Sequence, residues 1–327
     1  MPEITDARQI QDLAKAFQQS RVLLTAVELG VFSVLGLEGL GSEEAAERVG
    51  ADPRALDRLL NVLTGLGLIR KDGGLFRNTE AAERYLNAES PEFLSGLPHT
   101  NNVFASWATL TAAVRRGSRV RERGERDPAA TQAFIEAMHR RARGGAELLA
   151  QTLDLSGARR MLDVGGGSGV YSMAFCRANA GLSAVVLDLP QVTPLTRAYV
   201  AGEGLSDRVD TQDGDYHQAD FGNGYDFILF SAVAHINSPD ENRALIRRAA
   251  RALNPGGRVA VQDFLMDEDR VGPLHGAFFA LNMLVNTERG DTYTEGEVRG
   301  WMEAAGLSGM ERLDPGGEAA LVVGRKA

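Results

Sequence analysis

Cysteine is nearly absent from this chain: among 327 residues there is only Cys176. A single thiol cannot close an internal disulfide, so a reducing cytoplasm is the expected setting. No apolar run is long enough to span a bilayer, and no charged segment followed by an apolar one opens the chain. A membrane partner is therefore not expected, and the protein reads as soluble and intracellular. Basic excess is missing too: Lys+Arg 35 against Asp+Glu 44 leaves a net charge of −9, which argues against a nucleic-acid partner. Internal repeats and low-complexity tracts are absent. Histidine is scarce, with five residues to share any acid–base work. What remains is an ordinary globular balance, 44% apolar and 24% charged, with length enough for two domains.

The most informative segment present is Met161-Leu162-Asp163-Val164-Gly165-Gly166-Gly167-Ser168-Gly169-Val170. An apolar run ends in an acid, and a glycine-rich turn follows at once. Without Cβ atoms such a turn reaches φ > 0 and lets a ligand approach the backbone. The segment after it, from Tyr171 to Arg177, has helical character, and a helix N-terminus offers free N–H groups to an anion. The spacing is G-x-G-x-G, and Val170 stands where the dinucleotide fingerprint needs a third glycine or alanine. A second apolar run, Ser183-Ala184-Val185-Val186-Leu187, ends in Asp188, placed to accept hydrogen bonds from ribose hydroxyls. Together these features indicate a nucleoside-bearing cofactor.

Up to Leu86 the chain reads as short helices. Ala16, Val22, Leu23, Ala26, Val27, Leu29, Val31 and Phe32 make an apolar stripe broader than one small domain needs, so part of it is expected to face another subunit. Ser42 is the expected cap of a helix with an acidic first turn, and Asp52-Pro53 opens the next. Two short strands follow around Asp72-Gly73-Gly74, completing a winged-helix pattern. Its second helix, 53–64, sets Arg54 and Arg58 against Asp52 and Asp57 and has no basic recognition face. Dimerisation or covering of a substrate therefore fits better than DNA binding. The one basic cluster, Arg115 to Arg126, is interrupted by Glu122, Glu125 and Asp127 and reads as a solvated loop.

From Gln132 the pattern changes. A helical segment, 134–153, leads into the glycine-rich unit. Apolar runs at 183–187, 225–231 and 258–264 then alternate with helical patterns, including 240–253. That alternation predicts an α/β fold with a mostly parallel sheet. Ligands in such sheets bind at the carboxyl ends of strands, where Asp163, Asp188 and Asp215 fall. Residues 319–324 are expected to form a final edge strand.

Taken together these residues resemble the S-adenosylmethionine-dependent O-methyltransferases of small molecules that carry an N-terminal winged-helix dimerisation domain. The matching blocks are Leu162-Asp163-Val164-Gly165-Gly166-Gly167-Ser168-Gly169, Leu187-Asp188-Leu189-Pro190, Gly214-Asp215-Tyr216, Ala234-His235 with Ser238-Pro239-Asp240-Glu241, and Asn254-Pro255-Gly256-Gly257-Arg258. The resemblance covers nearly the whole chain, and bacterial natural-product members are the most alike. It implies a Rossmann-like class I methyltransferase domain over 151–327, a dimerisation domain over 1–95 and connecting helices over 96–150 bordering the substrate. It also implies a homodimer and a small-molecule acceptor. Gly165 and Gly167 would lie against the methionine part of the cofactor, Asp188 would hold both ribose hydroxyls, and Asp215 and Tyr216 would border the adenine. Asp163, Leu189 and Ser231 are counted with them. Phe134 and Met138 match a segment closing over cofactor and substrate, although their spacing also suits a helix core.

The implied reaction is a direct displacement, needing positioning but neither metal nor covalent nucleophile. A phenol or enol attacks better once deprotonated, and histidine is the natural base at neutral pH. His235 follows Phe227-Ile228-Leu229-Phe230 at a strand end and matches the family's catalytic histidine; the alternative is a histidine capping the next helix. His99 and His139 lie in segments that could border the acceptor or face solvent. Ile236-Asn237 replace the residues usual after the histidine, and Ser231 stands where plant members carry a basic residue. Their first supporting glutamate aligns near Thr292, leaving Asp291 and Glu288 as candidates to orient His235. Phe278, Phe279, Asn282 and Met283 match the helix lining the acceptor pocket, with Trp107, Asn101 and Asn102 as further candidates. The expected activity is O-methylation of a phenolic or enolic hydroxyl on a polyketide-like molecule. N- or C-methylation, a decarboxylating or hydroxylating relative, and a DNA-binding regulator are the competing readings.

Overall fold

Apolar stretches that alternate with helix-period segments build the second part of the chain, and closely spaced amphipathic helices build the first. A computed structural model describes residues 3–121 and 128–327, so much of the basic loop expected before 128 lies outside the described residues. Contacts divide the chain into two compact units, Met1–Ala105 and Ser106–Ala327. The division falls inside the stretch 96–150 expected to connect the two ends.

The first unit contains α1 (Ala7–Lys15), α2 (Phe17–Glu28), α3 (Val31–Leu35), α4 (Ser42–Val49), α5 (Pro53–Gly65), the hairpin β1 (Ile69–Asp72) and β2 (Leu75–Asn78), and α6 (Glu80–Leu86). Phe32, Leu56, Leu60, Leu63, Ile69 and Phe76 fill its core. Each such side chain contributes about 1.5–3 kcal/mol of hydrophobic burial. Asp52 caps α5, its carboxylate accepting from the Ala55 N–H at 2.9 Å. Ser42 does not cap α4: Gly41 holds that position with no side-chain bond. The reason lies upstream, where Leu40 exchanges backbone hydrogen bonds with Phe76 at 2.9 and 2.8 Å and keeps the chain extended as far as Gly41. Gly73 and Gly74 turn the hairpin at φ 56° and 83°, as a two-residue turn requires. No residue of α1 is buried, and Ile10 and Leu13 are 59% and 65% exposed, so its apolar side has no partner within the unit.

Helix α7 (Leu97–Trp107) crosses the division, and the second unit continues with α8 (Leu110–Arg116) and α9 (Pro128–Thr152). Then come β3 (Arg160–Val164), α10 (Val170–Ala178), β4 (Ser183–Asp188), α11 (Thr193–Gly202), β5 (Val209–Asp213) and β6 (Tyr225–Ser231). A short 3₁₀ turn, Ala234–Ile236, leads to α12 (Pro239–Ala252) and β7 (Leu253–Asp263). The chain ends with β8 (Leu265–Met266), α13 (Leu274–Asn286), β9 (Tyr293–Thr294), α14 (Glu295–Ala304), β10 (Leu307–Leu313) and β11 (Ala320–Lys326).

The central sheet has the order β10-β11-β7-β6-β3-β4-β5. β3 to β7 run parallel, while β11 and β10 are antiparallel. The strand expected at the edge, 319–324, lies inside the sheet between β7 and β10. The edge belongs to β10, whose side chains are mostly exposed and which therefore lacks an apolar run to announce it. Leu149, Phe175, Val186 and Phe227 pack α9, α10 and the sheet on one face. Ile228, Leu245, Val259 and Trp301 do so with α12 and α14 on the other. Chain order steps outward from β3 to β5, then returns to β6 and β7 on the opposite side of β3. The carboxyl ends of β3 and β6 thus flank the switch point where such sheets bind ligands.

Candidate active site

At the end of β3 the backbone enters left-handed conformations at Gly165, Gly167 and Gly169, with φ of 67°, 57° and 74°. A Cβ on Gly166 would meet the Asp163 carboxyl carbon at 2.6 Å and Val186 at 2.9 Å, so close approach rather than φ demands glycine there. Gly167 is different: a Cβ would meet only Ile135, at 3.7 Å, so the turn presents bare backbone to open space. The Gly167 N–H donates to Oδ2 of Asp188 at 2.8 Å, and the Leu189 N–H donates to Oδ1 at 2.7 Å. Burial pushes the Asp188 carboxyl up in pKa and these two bonds oppose the rise. Thr196 donates to the Gly167 carbonyl at 2.6 Å, and Ser168 Oγ lies 2.9 Å from His139 Nδ1. The turn is braced on every side except the one that faces out.

Asp163, expected among the cofactor ligands, is wholly buried. Gly166 closes over it, and its Oδ2 accepts from Ser172 Oγ at 2.8 Å while Oδ1 has no partner. Burial, with Asp188 nearby, pushes its carboxyl up to about 6. The side chain therefore ties α10 to β3 beneath the turn instead of facing a ligand.

Beside the turn, the Gly214 N–H donates to the Asp188 carbonyl at 2.9 Å and brings the segment after β5 against β4. The Tyr216 ring lies where a Cβ on Gly165 would meet it at 3.6 Å, and its hydroxyl donates to Asn237 at 3.2 Å. Burial pushes this phenol up to about 12. Asp215 accepts from the His217 N–H at 2.9 Å. Ser231, at the end of β6, donates to Gln262 at 3.0 Å, and burial pushes the half-buried Tyr171 phenol up in pKa. Leu189 is 39% exposed. The structure thus brings Gly165, Gly167, Asp188, Leu189, Asp215 and Tyr216 to one edge of the sheet's carboxyl end, with Ser231 tied into an internal polar cluster.

His235 occupies the 3₁₀ turn after β6 and is 8% exposed. Its ring Nδ1 lies 2.8 Å from Oδ1 of Asp263, and its backbone N–H donates to Oδ2 at 3.0 Å. A carboxylate only accepts, so Nδ1 carries the proton and Nε2 presents a lone pair. Neither Asp291 nor Glu288 orients this ring. Asp291 uses its N–H on the His235 carbonyl at 3.1 Å, while its carboxylate turns to Thr292 and Arg270. Glu288 pairs with Arg119 at 2.6 Å. Asp263 carried a readable signal: it ends β7 as Asp163 ends an apolar run and Asp188 ends β4. Tyr293 donates to the Asn237 carbonyl and Asn242 to the Ala234 carbonyl, fixing the turn that holds His235.

Phe279 meets the His235 ring edge-on at 4.9 Å, and Phe264 packs on Phe279 at 4.4 Å. Met283, one turn further along α13, is buried, and Asn282 is half-buried between them. Trp107 donates to Asn282 Oδ1 at 3.1 Å and packs on Phe278 at 6.3 Å. Phe278 itself is 53% exposed. On α9, Phe134 and Met138 are half-buried, whereas Ile135 and Ala137 are buried, so the former pair is not the core face of that helix. His139 is half-buried: it stacks on Tyr199 at 4.2 Å, and burial with Arg143 nearby lowers its pKa. Asn101 is taken up by Arg21 at 2.6 Å and Glu28 at 3.0 Å within the first unit. Among the described residues no group of His, Cys, Asp and Glu could hold a metal ion, and no helix is long and apolar enough to cross a membrane.

Comparison with known proteins agrees with this geometry. Residues 107–308 match the O-methyltransferase domain and residues 11–88 the O-methyltransferase dimerisation domain. The chain is 32% identical to 3-hydroxy-5-methyl-1-naphthoate 3-O-methyltransferase of Streptomyces sahachiroi, over 97% of this chain and 95% of that protein. It is also 32% identical to L-tyrosine C(3)-methyltransferase of Streptomyces lavendulae, over 81% and 75% of the respective chains. The crystal structure of human N-acetylserotonin methyltransferase in complex with SAM superposes with a TM-score of 0.83 at 26% identity, covering 100% of both chains.

Proposed function

The chain belongs to the family of S-adenosylmethionine-dependent O-methyltransferases, and we propose that it methylates a phenolic or enolic hydroxyl of a small aromatic, polyketide-like molecule with His235 as general base. The observation that carries the proposal is the His235–Asp263 pair at the carboxyl end of β6, with Nε2 left free beside Phe279. When bound, the cofactor supplies an electrophilic methyl group. Gly165 and Gly167 give its methionine part a backbone without side chains, Asp188 accepts from its ribose hydroxyls, and Asp215 and Tyr216 border its adenine. The bare turn at Gly167 and the braced Asp188 carboxylate fit such a group.

On the acceptor side, His235 Nε2 takes the hydroxyl proton, and Asp263 stabilises the imidazolium that forms. Phe279, Met283, Phe134 and Met138 wall the acceptor and exclude water, which strengthens the His–Asp interaction by lowering the local dielectric. The dimerisation domain, with the unpartnered apolar side of α1, supports a homodimer. The relative that methylates tyrosine at carbon keeps C-methylation as a second reading. Replacing His235 by Gln tests the base: turnover should fall roughly 10²–10⁴-fold while calorimetric affinity for S-adenosylmethionine stays as in wild type. A near-normal rate at neutral pH would show that the acceptor ionises without it.

A further inference from the structure

Asn282 stands in a hydrogen-bonding arrangement that settles which end of its amide is free. The indole N–H of Trp107 can only donate, so the atom 3.1 Å from it is the Asn282 oxygen. Asn286 Nδ2 donates to the same oxygen at 3.0 Å and to the Asn282 backbone carbonyl at 2.9 Å. Both lone pairs of Oδ1 are thereby used. The NH₂ group has no acceptor among the described residues, and it is not sealed from solvent, since it is absent from the buried unpartnered atoms. Asn282 sits one helical turn from Phe279, whose ring touches His235. A pinned amide thus offers two unused donors on the helix face that walls the base.

We infer that Asn282 donates to a carbonyl oxygen of the acceptor, next to the hydroxyl that His235 deprotonates, so that the substrate class is a hydroxyaryl ketone or hydroxyquinone. This rests on the methyl-transfer reading above. Trp107 and Asn286 are positioning residues, because they prevent the amide from turning its oxygen towards the ligand. A hydroxyl with no neighbouring carbonyl leaves those donors unpaired once water is excluded, and selectivity built on such a group is stronger than selectivity built on shape.

The test separates recognition from turnover. Full-length protein saturated with S-adenosylhomocysteine is titrated calorimetrically with 1-hydroxy-2-acetonaphthone and with 1-naphthol. Wild type should bind the ketone about tenfold tighter, the effect of one added hydrogen bond. Asn282→Asp keeps an oxygen for Trp107 and Asn286 but carries no N–H, and its ratio should fall to about one. Trp107→Phe leaves position 282 intact and unpins the amide, so its ratio should be intermediate; it serves if Asn282→Asp fails to fold. Equal affinities in wild type, a ratio that survives in the folded variants, or binding of neither probe overturns the inference. If the ketone is preferred but labelled methyl never reaches it, O-methyl transfer is wrong while the recognition stands.

Discussion

The two sides of the site are made in different ways. On the proposed cofactor side the bonds come from backbone: Asp188 accepts from the Gly167 and Leu189 N–H groups, and the Gly167 carbonyl accepts from Thr196. On the proposed acceptor side they join side chains: His235 to Asp263, and Trp107 to Asn282. Separation along the chain is not the whole difference, since 28 residues divide His235 from Asp263 and 29 divide Gly167 from Thr196. A backbone-built site requires glycines and strand-end acids at fixed spacing, and few other residues can replace them. A side-chain-built site requires only that some donor meet some acceptor, which many pairs of positions can satisfy.

That contrast should appear as a separation of effects. Asp188→Ala should raise the dissociation constant for S-adenosylmethionine by roughly 10²–10⁴-fold, the loss expected if the proposed hydrogen bonds from two ribose hydroxyls to its charged group are removed. Asp263→Asn should leave that constant unchanged and lower kcat by roughly 10–10²-fold, because the amide no longer stabilises the imidazolium or fixes its tautomer. Calorimetry on both variants, with single-turnover rates at saturating cofactor, checks the pair. Equal losses in binding for the two would mean that the sides are not independent.

Legibility follows the same division. The glycine turn, Asp188 and the parallel strands at β4 and β6 could be read from the sequence, because each combines a conformational demand with an apolar run, whereas Asp215 with Tyr216 follows the polar strand β5 and was legible only through the block Gly214-Asp215-Tyr216. The partner of His235 could not be read from the aligned position near Thr292, where Thr292 donates to the Gly276 carbonyl at 3.3 Å. The acid that meets the ring ends β7, and only the packing of β7 beside β6 shows that it reaches it. Likewise β10 and the Asn282 amide are matters of tertiary contact. Asp163 looked like a ligand by position, yet the missing Cβ of Gly166 lets the chain close over it.

Burial of Asp163 has a cost that pH should expose. Its carboxyl is raised from the ordinary 3.8 to about 6, so the folded chain holds the proton more tightly than the unfolded one. The stability tied to that proton is fully present below 3.8 and is lost as pH rises through about 6, amounting to ~3 kcal/mol. Asp163→Asn has no proton to lose. Denaturant melts of variant and wild type at pH 4 and pH 7 should therefore differ by a shift of that order in favour of the variant at the higher pH. A difference that stays constant with pH would mean that the carboxyl ionises normally despite its burial.

The smallest effect belongs to Glu288, one of the two acids that the sequence offered to orient His235. It is exposed, its carboxyl is held low by the hydrogen bond from Arg119, and the pair lies in solvent with side-chain exposures of 24% and 56%. Exposed ion pairs are screened by water and salt and cost ordering of two long side chains. Glu288→Gln should leave the melting temperature within about a degree and kcat within about twofold of wild type. A kcat loss matching that of Asp263→Asn would place Glu288 in the proton path after all. The contrast between these two acids would then rest on dynamics, because the static geometry gives His235 to Asp263 alone.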